Sequence, residues 1–209
     1  MIPVKVLAVR LIANASPSLA GAFGVPEGHR SLAMLTTDCD DATYIALDAA
    51  TKAADVKVVY GRSFYAGAAN ATTPHSGEVI GILAARTPGD ARSGLEAALA
   101  MLERVGFEET GDVPYLAHTV ASVGTFLAEE ANVPVGSAVA YLIAPPLEAM
   151  YGLDAALKAA DVRLCKLYAP PSETNFGGGL LTGSQSACDA ACAAFAQAVA
   201  EVAQQPLEW

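Results

Sequence analysis

Apolar positions along this chain fall into short runs, and the period of those runs alternates between that of a buried strand and that of a helix. Ala138-Val139-Ala140-Tyr141-Leu142-Ile143 is continuous and strand-length, which predicts a strand buried on both faces. Pro145-Pro146 then opens a helix on which Leu147, Met150, Leu153 and Leu157 recur at helical spacing. A further strand is expected over 162–168. The first half repeats the order, with a strand over 32–36, a helix from about Ala42 and a strand over 56–60. Glu78-Val79-Ile80-Gly81-Ile82-Leu83 predicts another strand, and Leu95, Ala98, Leu102 and Val105 form the stripe of a closing helix. Cys192, Phe195, Val199 and Val202 place the same stripe on a closing helix of the second half. Upstream of each set lies one more strand and short helix, over 4–12 and 16–23, and over 115–123 and 125–131.

The parallel is also visible residue by residue. Leu47-Asp48-Ala49-Ala50-Thr51-Lys52-Ala53-Ala54-Asp55-Val56-Lys57 returns as Leu153-Asp154-Ala155-Ala156-Leu157-Lys158-Ala159-Ala160-Asp161-Val162-Arg163, an offset of 106 with nine of 11 positions identical. The closing helices are offset by only 97, so the halves differ in the length of the segment between. A duplication follows, with domains over 1–110 and 111–209 and Gly111-Asp112-Val113-Pro114 as the boundary. The fold class is α/β (α+β), each half an open sheet flanked by helices rather than a barrel.

Composition narrows the function. The chain has 209 residues, 53% hydrophobic and only 16% charged, with a mean hydropathy of +0.37. No uninterrupted apolar run reaches the length of a membrane-spanning helix, and the start lacks the pattern of a secretory signal, so a cytoplasmic chain is expected. Its excess apolar surface then belongs between subunits, where obligate interfaces resemble a core cut in half. The 12 basic and 22 acidic residues give a formal charge of -10, which repels phosphate backbones and removes nucleic acid from the partners. Four cysteines without metal-type spacing read as free thiols.

Conventional catalytic chemistry finds little support. His29, His75 and His118 stand in no recognisable motif, and Cys188 with Cys192 continues an apolar stripe, which favours packing over metal binding. Gly178-Gly179-Leu180-Leu181-Thr182-Gly183-Ser184 resembles a phosphate loop but lacks its lysine. No catalytic residue, metal site or cofactor is therefore expected. Two features remain. The first is the acidic turn Asp38-Cys39-Asp40-Asp41, where the second half reads Ala144-Pro145-Pro146-Leu147. One carboxylate suffices to cap a helix, whereas three together call for a cation or for hydrogen-bond donors. Glu78 is placed to join them. The second is a pair of loops rich in small residues, over 61–70 and 169–179, each carrying aromatic residues and each able to bend at glycine.

The segments 38–52 (DCDDATYIALDAATK), 59–68 (VYGRSFYAGA), Gly77-Glu78-Val79, Arg92-Ser93-Gly94-Leu95, 140–150 (AYLIAPPLEAM), 151–162 (YGLDAALKAADV) and 170–188 (PPSETNFGGGLLTGSQSAC) occur in that order. In them the chain resembles the tandem-domain shell proteins of bacterial microcompartments, and among these the ethanolamine-utilisation type. The resemblance implies a non-enzymatic shell component with two circularly permuted shell domains. It also implies a homotrimer that mimics a hexamer and tiles, with other shell proteins, into the facets of a cytoplasmic compartment. Loops bearing Phe64, Tyr65, Gly67 and Asn70, and Glu173, Asn175, Phe176 and Gly177, would then gate a central pore. By the same resemblance Asp40, Glu78 and Phe107 would line a smaller acidic pore that takes ethanolamine, the ammonium being held by charge-assisted hydrogen bonds and an aromatic wall. From the residues alone, a duplicated soluble module that senses an amine or metal through the acidic turn stays open. An enzyme using Asp40 and Glu78 as a carboxylate pair is the third reading.

Overall fold

Helices begin where the sequence supplies a hydroxyl to hold their first free N–H groups. Ser16 caps α1 (Pro17–Ala22) through Leu19 N, Thr87 caps α3 (Pro88–Leu102) through Asp90 N, and Ser184 caps α6 (Gln185–Gln204) through Ala187 N. Helix α2 (Asp40–Ala53) has no side-chain cap at Cys39. Its first turn instead carries Asp40 and Asp41, which complement the positive end of the helix dipole, and Lys52 stands in its last turn. The computed structural model describes residues 1–64, 77–170, 172 and 174–207.

The chain forms two units. The first comprises Pro3–Val105 with Gly124–Leu127, and the second holds Met1–Ile2, Gly106–Val123 and the chain from Ala128 onward. In the first, β1 (Val6–Ile12), β2 (Ser31–Thr37), β3 (Val56–Phe64) and β4 (Glu78–Ala85) make an antiparallel sheet in the order β1-β2-β4-β3, with α2 and α3 packed on it. In the second, β5 (Glu108–Thr110), β6 (Val113–Val120), β7 (Ala138–Ala144), β8 (Val162–Tyr168) and β9 (Gly177–Gly183) are ordered β5-β6-β7-β9-β8. Helices α5 (Pro146–Ala159) and α6 cover this sheet, and α4 (Thr125–Ala131) follows β6.

The duplication is therefore architectural. The order β1-β2-β4-β3 recurs as β6-β7-β9-β8, and even an irregularity is copied: the ladder slips between Val58 and Tyr60 in β3, and between Leu164 and Lys166 in β8, 106 residues on. Side-chain alternation divides each sheet. Ala138, Ala140, Leu142 and Ala144 of β7 face Leu153, Ala156, Cys188, Cys192, Phe195 and Val199, so both candidate thiols on α6 are core residues. Leu32, Ile82 and Ala84 form a smaller core with Ala15, and Phe23 meets Tyr60 edge to face at 5.3 Å.

Several boundaries differ from the pattern-based expectation. Strand β3 continues past Tyr60 to Phe64, because Arg62 and Ser63 pair with Ile80 and Val79 despite their polarity. The stretch 111–114, expected between the halves, turns the β5–β6 hairpin inside the second unit, with Gly111 at φ 59°. The glycine run expected as a loop enters β9: a Cβ on Gly178 would meet Leu142 O at 1.9 Å, and one on Gly179 would meet Lys166 O at 2.6 Å. Neighbouring strands are thus too close for side chains there, and glycine serves pairing rather than bending.

Candidate functional site

The acidic end of the first unit follows from its ladder. Thr37, the last residue of β2, pairs with Val79 of β4, so Asp38, Cys39 and Asp40 leave the sheet at the end where Glu78 begins β4. Phe64 pairs with Glu78, placing the exit of β3 there too. Asp40, Asp41 and Glu78 are buried, at 4%, 7% and 8% exposure. Asp38 Oδ1 accepts the Lys5 N–H at 2.8 Å, and Asp40 Oδ1 accepts the Asp41 N–H at 2.9 Å. Thr37 and Thr43 share a hydroxyl contact of 2.7 Å beneath the turn, and both reach Cys39 O. Among the described residues, no hydrogen bond or ion pair reaches the Glu78 carboxylate. Buried carboxylates gathered at one end of a sheet attract a cationic group with N–H donors, since burial strengthens the field.

The other half is built differently at the matching place. By the strand register, Glu78 corresponds to Phe176, just ahead of β9. Phe176 is 6% exposed, its ring 5.6 Å from Phe107, which is itself 1% exposed. Phe107, expected as the wall of the acidic pore, is a residue of the second unit, as is Phe176. In this conformation Phe176 is a packed core side chain. Ser172 Oγ donates to Phe176 O at 2.7 Å, Asn175 is exposed, and Gly177 is buried and paired with Ala144. Phe64 is 39% exposed at the end of β3. Tyr65, Gly67, Asn70, His75 and Glu173 lie outside the described residues.

The remaining candidates take ordinary places. His29 is buried with Nδ1 3.3 Å from Glu27 O, and His118 lies in β6. Burial pushes the Cys192 thiol up to about 11, with the Thr119 hydroxyl opposing the shift from 3.4 Å. Among the described residues no three His, Cys, Asp or Glu side chains gather to hold a metal ion.

One polar group of consequence was not singled out by motif. Asp48, in the repeated segment, is fully buried on α2 and accepts the N–H groups of Gly124 and Leu127 at 2.7 and 2.9 Å, while Lys52 Nζ stands 3.3 Å away. Its repeat partner Asp154 is exposed and paired with Lys158 at 2.5 Å. The two are identical in sequence context, so only the chain lying over α2 distinguishes them.

Comparison with known proteins agrees with this architecture. Residues 31–112 match the model of the BMC domain. The bacterial microcompartment shell protein EutL of Clostridium perfringens is 56% identical over 207 residues, covering 97% of this chain and 95% of that protein. Its Escherichia coli counterpart is 48% identical over 208 residues, covering 98% and 95%. The crystal structure of ethanolamine utilization protein EutL from Leptotrichia buccalis superposes with a TM-score of 0.93 at 57% identity, covering 100% of this chain and 98% of that one. With a duplicated fold and likeness over nearly its whole length, this chain belongs to the EutL-type shell proteins of bacterial microcompartments, structural components and not enzymes.

Proposed function

We propose that three copies of the chain close into a pseudohexameric tile of a microcompartment shell, and that the tile admits small polar metabolites by two routes. The wider route is a central opening gated by the segments that follow Phe64 in β3 and Tyr168 in β8, including Tyr65, Gly67, Asn70, Glu173 and Asn175. The narrower route is the acidic end of the first unit, where Asp40 and Glu78 receive ethanolamine. Other shell proteins complete the facet around it.

The observation that carries this reading is the asymmetry of the duplicated site. One half places buried Asp40 and Glu78, which has no partner among the described residues, at the sheet end where β3 finishes and β4 begins, while the other has Phe176 at the place of Glu78. A protonated amino alcohol matches the acidic half in charge and donors, and its carboxylate contacts would be of the strong, charge-assisted kind. Ethanolamine titrated into the protein in a calorimeter is expected to bind, with Glu78→Gln and Asp40→Ala each weakening affinity at least tenfold. Unchanged affinity in both variants would remove the acidic end from the transport route. Light scattering tests the assembly independently: a mass of three chains, with ordered layers on concentration, is expected. A discrete oligomer that never tiles would favour a sensing module.

A further inference from the structure

The turn that carries the acidic cluster is gripped by two hydroxyls that the other half of the chain lacks. Thr37 and Thr43 have no exposed surface, and their hydroxyl oxygens stand 2.7 Å apart. Thr37 Oγ1 accepts the Cys39 N–H at 3.2 Å, while the Cys39 carbonyl lies 3.1 Å from Thr37 Oγ1 and 2.8 Å from Thr43 Oγ1. Each hydroxyl has a single proton, so one threonine donates to the other and the second donates to the carbonyl. The result is a closed ring through the main chain of Cys39, with both protons used.

The ladders give the corresponding residues of the second half. Gly61 pairs with Gly81 as Leu167 pairs with Gly179, so Val79 corresponds to Gly177, and their partners Thr37 and Ala144 end β2 and β7 at the same place. Along the repeated helices the offset of 106 sets Thr43 against Ala149. Both threonines are thus matched by fully buried alanines. The turns differ as well: Asp38 and Cys39 separate β2 from α2, whereas Pro145 alone separates β7 from α5. At this place of the fold a helix starts without hydroxyls, Pro145 O accepting the Ala149 N–H at 2.8 Å. In the acidic half the same bond, from Thr43 N–H to Cys39 O, is stretched to 3.3 Å, because the hydroxyls compete for that carbonyl. The threonines therefore do not strengthen the helix start. They hold the extra backbone of the turn that bears the acids.

We infer that Thr37 and Thr43 are positioning residues of the acidic end: by gripping Cys39 at both its N–H and its carbonyl, they fix the peptide that leads into Asp40 and aim its carboxylate at a protonated amine. The inference rests on the ethanolamine reading proposed above and names what keeps that site in shape before the ligand arrives. Asp40 is 4% exposed, and its Oδ1 accepts the Asp41 N–H, so the side chain is restrained beyond the turn as the main chain is restrained before it. A buried hydrogen-bonded ring whose members are all satisfied is rigid, and a rigid site leaves the ligand less to order on binding.

The test titrates ethanolamine into the full-length protein in a calorimeter and follows the thermal midpoint of each variant beside it. Thr43→Val keeps the shape and removes the hydroxyl. Thr43→Ala places there the residue that the second half folds with, and so supplies a second protein without the hydroxyl. Each is expected to weaken ethanolamine about three- to tenfold, the worth of one lost hydrogen bond. Thr43→Ser keeps the hydroxyl but loses a buried methyl, so its thermal midpoint is expected to fall while its affinity stays that of the parent. Parent affinity in both Thr43→Val and Thr43→Ala overturns the positioning role and leaves the acidic end as a binding site. Affinity that falls in Thr43→Ser as far as in Thr43→Val also overturns it, since the loss would then follow packing and not the hydroxyl. A parent protein that binds no ethanolamine overturns the acidic end and this inference together.

Discussion

The carboxylate of Asp48 and the backbone N–H of Gly124 are 2.7 Å apart although 76 residues separate them, and a second oxygen of the same side chain takes Leu127 N. A Cβ on Gly124 would come within 2.1 Å of Thr51 Oγ1, so the approach of this backbone to α2 requires glycine. Asp48→Ala would leave two N–H groups without their acceptor in a site closed to water, an expected loss of about 3 kcal/mol of stability at fixed protein concentration. Replacing exposed Lys158, on the repeat-related pair, is expected to cost no more than about 0.5 kcal/mol because water screens it. Urea titrations of the two variants give the comparison. Equal midpoints would mean that Asp48 does not hold this segment in solution.

Helical glycines in the two units are predicted to differ sharply in tolerance. A Cβ on Gly152 of α5 would stand 2.7 Å from Cδ2 of Phe195, a ring with no exposed surface, so Gly152→Ala should destabilise by roughly 1–3 kcal/mol through forced repacking. Gly89, in the first turn of α3, would place its Cβ 3.6 Å from Thr87 Oγ1, an ordinary contact. There Gly89→Ala should stabilise by about 0.5–1 kcal/mol by reducing the freedom of the unfolded chain. Thermal midpoints moving in the same direction would contradict the packing described for α5 and α6.

The duplication, both closing helices and most strands were legible because periodicity and the repeated Leu-Asp-Ala-Ala segments report directly on which residues face a core. The errors have a common cause. Arg62 and Ser63 extend β3 through main-chain pairing, and Gly178 and Gly179 enter β9 because adjacent backbones crowd them; neither reason leaves a mark in side-chain hydropathy. At the candidate site, the clustered acids of the Asp38–Asp41 turn were readable as a charge problem needing an answer. That Phe176 replaces Glu78 in the other half required the register of two ladders. Asp48 and Asp154 could not be told apart at all, since the letters around them repeat and the difference lies in what covers them.

Stability should fall in alkaline solution partly through Cys192. Burial raises this thiol from 9.0 to about 11, so the folded chain keeps its proton while the unfolded chain gives it up. The unfolded state therefore binds fewer protons over that interval, and the contribution is complete below pH 9 and lost progressively between about pH 9 and 11. Two pKa units correspond to about 3 kcal/mol at most. Cys192→Ala should show a shallower decline of thermal midpoint across this window than the parent protein. The residual slope belongs in part to Cys188 and Cys165, whose thiols burial also raises. Parallel curves for variant and parent would exclude a buried, neutral Cys192 as a source of the loss.

The last prediction concerns Phe107 and Phe176, whose rings lie 5.6 Å apart at an interplanar angle of 42°. Each is nearly sealed from water, so truncating either to alanine removes a large apolar side chain and opens a cavity, an expected cost of about 3–5 kcal/mol. If the rings contact one another in solution as they do here, the double variant should lose less than the sum of the two, with a coupling of about 0.5–1.5 kcal/mol. The cycle also speaks to gating. Phe176 stands at the place held by Glu78 in the other half, immediately before a strand and after a loop that the proposed pore would move. A loop that swings Phe176 out of its pocket must first break this contact, so a strong coupling marks the packed conformation as the resting one. A coupling indistinguishable from zero, with Phe107→Ala still costly, would place the Phe176 ring away from Phe107 in the dominant solution state.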